Sequence, residues 1–231
     1  MKTIIKSIFM TGVLMFCALN IQAQKTESKP RAASEPQSAL KTRRFLVNYL
    51  NVMDTCKTWE DKSRTLKGIE MVADATFSDW ISQYHAAFFN AVLAMENKDT
   101  AAASAMLAKA EMYIGKAVAL NKDESEIILL RGLITGMKIG KHPELGAKLG
   151  PIAMGDYEKA MKLNAENPRV YLVYGESYMY MPEQAGGGKK PAKENFEIAL
   201  KKFETDKHED PAWPRWGKDR AKKLLEEVKE Q

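Results

Sequence analysis

The stretch YLVYGESYMYMPEQAGGGKKPAKENFEIA, residues 171–199, decides the fold. Tyr171, Tyr174, Gly175 and Tyr178 fall on one side of a helix of 3.6 residues per turn, and Ala192, Phe196 and Ala199 do the same further on. Between them, residues 182–191 carry two prolines and three consecutive glycines, which interrupt a helix and turn the chain. Small residues on the packed side let a neighbouring backbone approach. The stretch therefore predicts a helix, a turn and a second helix.

The same pattern recurs upstream. Ala110, Ile114 and Ala117 precede Ala153, Tyr157 and Ala160, which precede Ala192, Phe196 and Ala199, at intervals of 43 and 39 residues. Ile128 with Gly132, Tyr171 with Gly175, and Trp213 with Gly217 share one offset, separated by 43 and 42 residues. Two dipeptides of an N-cap residue followed by proline, Asn167-Pro168 and Asp210-Pro211, also stand 43 residues apart and read as helix starts.

An aromatic residue, two residues, an apolar residue, Gly, two residues and Tyr, followed later by Ala, three residues and Phe, resembles the tetratricopeptide repeat signature. The spacing exceeds that family's period by roughly 5 to 9 residues, and residues 140–151 and 182–191 are the expected places for the excess. Asn164-Ala165 resembles the repeat's Asn-Pro ending without its proline. The resemblance implies an all-α fold of helix-turn-helix repeats in a right-handed superhelix with a C-terminal capping helix. It also implies a concave groove, lined by the first helix of each pair, that binds a peptide or protein segment. On the matching positions that groove would hold Arg169, Leu172, Glu176, Met179 and Tyr180, with Leu129, Leu133 and Met137 one repeat earlier. Tyr171, Tyr174 and Tyr178 would pack internally. Asn167-Pro168-Arg169 and Gly186 to Lys189 also resemble elements of a set of exported, mostly uncharacterised bacterial repeat proteins.

The start of the chain reads as an address. Residues 1–23 carry Lys2 and Lys6, an apolar run from Ile8 to Leu19 and a small residue at Ala23, the pattern of a secretory signal peptide cut before Gln24. The run falls short of a membrane span of about 20 apolar residues. Cys17 follows bulky Phe16, which departs from the small residue expected in a lipobox, so plain export to the periplasm or beyond is preferred over lipidation. Residues 24–38 hold two prolines, mixed charges and no large apolar side chain, a flexible leader. The helical domain then occupies residues 39–231.

Loss of Lys2 and Lys6 lowers the formal net charge from +5 to +3. The remaining charges are interspersed, and no basic block with aromatic interleaving marks a nucleic-acid face. Only Cys56 survives processing, so no internal disulfide can form.

Phe45, Tyr49, Val52 and Cys56 lie at helical spacing and predict a helix over residues 39–55 with that stripe inward and the thiol in the core. A second helix is expected over residues 59–73, with Leu66, Ile69 and Ala73 inward. A third, capped by Ser78 or Asp79, places Trp80, Tyr84, Ala87, Ala91 and Leu93 in the core. Residues 100–120 form its alanine-rich partner. Asp123 and Glu126 suggest a capping box for a fifth helix with Ile128, Gly132 and Thr135 inward. The chain closes with a helix starting near Trp213 and bearing Ala221, Leu224, Leu225 and Val228 on one stripe, for nine helices in all.

No spacing for catalysis stands out. Gly186 to Lys190 lacks the first glycine and the hydroxyl of a phosphate loop, leaving an anion nest at Gly187, Gly188 and Lys189 beside the plainer reading of a flexible loop. Met179 and Met181 diverge on a helix and would not converge on a soft metal. His85, His142 and His208 are remote from one another, and no serine sits in a Gly-x-Ser-x-Gly elbow. No metal or cofactor motif is found. Two functions stay open: a non-enzymatic envelope scaffold whose groove takes another envelope protein, or a small-ligand-binding or enzymatic protein using the enlarged loops 140–151 and 182–191.

Overall fold

The computed structural model describes residues 37–230, and side chains from 42 to 229. The signal peptide, Cys17 and almost all of the leader lie outside the described residues. Among those described there are nine α-helices, two short 3-10 turns and no strand. The helices are α1 (Gln37–Met53), α2 (Trp59–Ala75), α3 (Trp80–Glu96), α4 (Thr100–Leu120), α5 (Ser125–Lys141), α6 (Gly146–Leu163), α7 (Pro168–Tyr180), α8 (Lys189–Phe203) and α9 (Lys218–Glu230). None is long and apolar enough to cross a membrane.

They pack as four pairs in chain order, α1 with α2, α3 with α4, α5 with α6 and α7 with α8, and α9 covers α8. The first helices of successive pairs also touch, α3 with α5 and α5 with α7, so they form an inner layer. Caps set most starts. Asp79 accepts hydrogen bonds from the Ile81 and Ser82 amides, Asp99 from Ala101 and Ala102, and Asn167 from Arg169. The fifth helix differs from expectation, because the carboxylate that accepts an amide there is that of Glu124, not Asp123.

The small-large-small triads lock the pairs. A Cβ added at Gly175 would lie 2.4 Å from the Phe196 ring, and one at Gly132 would lie 2.7 Å from the Tyr157 ring. Each aromatic of an outer helix thus occupies the space that a glycine leaves on its inner partner. In the first pair the roles reverse, and Gly68 on α2 receives Tyr49 from α1.

Three expectations fail here for physical reasons. The buried stripe of α1 is Leu46, Leu50 and Met53, whereas Phe45 and Val52 are exposed and Cys56 is only partly covered, its Sγ 3.5 Å from Thr65 Oγ1. Both stripes have helical spacing, so periodicity alone cannot choose between them. Residues 140–151 are not a loop, because α5 runs on to Lys141, a 3-10 turn covers Pro143–Leu145, and α6 begins at Gly146 with Pro151 inside its early turns. Asp210-Pro211 opens no helix: the Asp210 carboxylate accepts the Ala212 amide, but the chain stays irregular until α9 starts at Lys218.

Candidate functional site

That irregular segment, residues 204–217, determines which parts of the first helices stay exposed. Pro211 and Pro214 remove two backbone donors, and Pro214 disfavours helix at Trp213. Gly217 then takes φ +111, a conformation that favours glycine. A side chain there would also meet Phe203 at 2.9 Å and Leu172 at 3.0 Å. The chain is thereby drawn across the first helices as a strap.

Its contacts reach α1, α3 and α7 directly, and α5 through Tyr84 and Arg169. Arg43 of α1 donates to Asp210 at 2.8 Å and to Asp79 at 2.7 Å, and Arg215 donates to Asn51 at 3.2 Å. On α3, Trp213 packs edge-on against Trp80 with centroids 5.5 Å apart, and Trp216 stacks on Phe88 at 5.1 Å. The Trp216 indole N–H donates to the Tyr84 hydroxyl at 2.8 Å, which donates in turn to Glu126 of α5 at 3.1 Å. Arg169 of α7 donates to Glu126 at 3.2 Å, to Asp206 at 2.9 Å and to the Pro214 carbonyl. The His85 ring sits 2.7 Å from the Ala212 carbonyl. A carbonyl can only accept, so Nε2 carries the proton.

Electrostatics follow from the dryness of this clasp. Burial raises the Glu126 carboxyl pKa, opposed by Arg169. Burial also works against the Arg169 charge, but Glu126, Tyr84 and Asp206 outweigh it and hold the guanidinium above its ordinary pKa. Burial lowers His85 to about 4, so the ring is neutral. Arg169 is 2% exposed, a cation that is used up inside the fold.

The eight residues assigned to the groove consequently divide. Arg169, Leu172 and Leu129 are buried, the first two against the strap, and offer nothing to a partner. One or two turns further along the same helices, the stripe emerges. Leu133 and Met137 on α5 and Glu176 and Met179 on α7 are partly exposed, and Tyr180 is 82% exposed. Phe88 on α3, four residues after Tyr84, continues the first helix's stripe in the same direction. Trp216, partly exposed and stacked on Phe88, stands where the strap leaves off. The strap thus covers one end of the stripe on the first helices, and the apolar residues at the other end, called the mouth below, stay partly or fully exposed.

The anion nest is not available as read. The Gly187 amide donates to the Pro182 carbonyl and the Gly188 amide to the Tyr178 carbonyl, at 3.1 and 2.8 Å, while Lys189 is exposed. A second concavity, a cleft of about 250 Å³ between α4 and α5, is lined by Glu111, Ile114, Gly115, Arg131, Ile134 and Thr135. It lies on the seam between pairs, where two cross-helix ion pairs, Lys138 with Glu111 and Arg131 with Asp156, flank it. No group of three or more metal-ligating His, Cys, Asp or Glu occurs among the described residues. His85 lies under the strap, His142 beside Ser104, and His208 on Trp213 at 4.2 Å.

Two residues of the mouth, Phe88 and Trp216, were missed from sequence. Two prolines within 211–214 are the signal that could have found Trp216, since they argue against a helix there.

No family model matches the chain, and no curated protein matches it. Among solved structures, the fold is similar to that of the HusA haemophore from Porphyromonas gingivalis, with a TM-score of 0.72 and 25% identity over 81% of this chain and 92% of that one. The chain shares its architecture with a haemophore.

Proposed function

We propose that this chain is an exported, non-enzymatic carrier of a flat amphiphile of the haem class, held in the mouth beside the strap. The observation that carries the reading is the stripe Phe88, Leu133, Met137, Met179 and Tyr180, left partly or fully exposed along successive first helices, with Trp216 of the strap stacked on Phe88. Haem is cargo here. Its ring is flat and apolar, which suits stacking on aromatic side chains and contact with thioethers. The similarity to a haemophore supports this cargo over other flat ligands. Export rests on the signal-like residues 1–23.

The test is an absorbance titration of the purified mature chain with hemin. Saturable binding at one equivalent, with a shifted Soret band, is the expected result; a spectrum identical to hemin in buffer would overturn the reading. A second reading, docking of an envelope-protein segment at the same mouth, draws on Tyr180, an 82% exposed aromatic ring of the kind that anchors interfaces. A photoreactive residue replacing Tyr180 would then give a discrete protein adduct in cells, absent from a control at Lys201.

A further inference from the structure

The mouth has one charged pair at its edge. Glu176 lies on α7 four residues beyond Leu172, which the strap covers, and four before Tyr180, which is open. Its carboxylate accepts from Nε of Arg220 in the first turn of α9. The glutamate side chain is 15% exposed and the arginine 60%, so the pair runs from the covered side outward. Arg220 follows Trp216 by four residues; burial works against its charge, but Glu176 and, less strongly, Tyr180 hold the guanidinium above its ordinary pKa.

A guanidinium presents two edges, one through Nε and one through its two terminal nitrogens. Glu176 occupies the first. Among the described residues, no hydrogen bond is donated by the terminal nitrogens of Arg220. Two parallel N–H donors in a plane match a carboxylate bidentately. Arg169 cannot serve, because its guanidinium is buried and its terminal nitrogens already donate to Glu126, Asp206 and the Pro214 carbonyl.

Resting on the haem-class reading above, we infer that Arg220 is the carboxylate anchor of the mouth, held in place by Glu176, and that the site selects ligands carrying an acid group over their neutral esters. Trp216, Phe88 and the methionines take the apolar ring, and the end-on fork of Arg220 takes a carboxylate at its edge. Glu176 acts through Arg220 as a positioning residue. Replacing it frees the arginine without removing the charge.

The experiment compares hemin with hemin dimethyl ester on the mature chain and on Arg220→Met, Arg220→Lys and Glu176→Gln, with thermal unfolding of each protein recorded beside the titrations. Wild type is expected to favour hemin over the ester by about tenfold, the weight of one charge-assisted hydrogen-bonded contact. Arg220→Met abolishes the preference by weakening hemin alone, Arg220→Lys retains part of it, and Glu176→Gln reduces it. If Arg220→Met binds hemin as wild type does, or weakens hemin and ester equally, the anchor is refuted while the carrier reading stands. If wild type binds neither probe, the carrier reading fails and takes the anchor with it.

Discussion

Arg169→Met removes the centre of the clasp while keeping much of the side-chain volume. The change leaves Glu126, Asp206 and the Pro214 carbonyl without their shared donor, and Glu126 is buried on every side. Breaking a buried pair by deleting one partner costs about 3–5 kcal/mol, mostly through the charge left behind. In a domain of this length each kcal/mol moves the midpoint by about 2–4 °C. The expected loss in thermal midpoint is therefore about 6–20 °C, read by circular dichroism at 222 nm. Glu126→Gln alone should also destabilise, since Arg169 then keeps a buried charge. The double variant should lose less than the two single losses together. A midpoint for Arg169→Met within about 3 °C of wild type, less than about 1–2 kcal/mol, would refute the reasoning, because it would mean the guanidinium is not desolvated and the strap is not held by it.

Three further outcomes follow from the same structure. His85 has a folded pKa of about 4 against an unfolded value near 6.5, so the unfolded chain binds more protons between those values; stability is full above about 6.5 and falls as pH drops toward 4, by about 3 kcal/mol. Urea unfolding at pH 7.5 and 5.0 should show that slope, and His85→Gln should flatten it; an unchanged slope would remove His85 as its source. Gly175→Ala pushes a Cβ to 2.4 Å from the Phe196 ring, and an overpacking cost of about 1–3 kcal/mol should exceed the gain in helix propensity of about 1 kcal/mol. Gly115→Ala, with nothing within 4 Å, should instead stabilise by up to about 1 kcal/mol, and equal midpoints for the two would contradict the interlock.

The interlock was legible because it is local and repeated. Gly175 with Phe196 and Gly132 with Tyr157 each lie within one helix pair, so the spacing of small and large residues carries the packing directly. The last helix was legible too: Ala221, Leu224, Leu225 and Val228 are all buried as its single stripe requires. The strap was not. Its partners Arg43, Tyr84 and Arg169 come from three helices that no local pattern brings together, and Glu126 of a fourth joins them only through Tyr84 and Arg169. Asp210-Pro211 looked like Asn167-Pro168, yet Pro214 and Gly217 keep the following residues out of a helix. For the same reason the exposure of the expected groove residues was not legible: whether Leu172 or Tyr180 meets solvent depends on where a distant segment crosses.

The mouth is tested most directly by placing a carboxylate inside it and one elsewhere. Hemin titrations of Met137→Glu and Tyr180→Glu, against Met71→Glu on the exposed side of α2, separate site from surface. Charges in the mouth should weaken binding at least tenfold with little change in thermal midpoint for Tyr180→Glu, and Met71→Glu should bind as wild type does. Equal hemin affinity in all three variants and wild type would contradict the assignment of the mouth as the binding site.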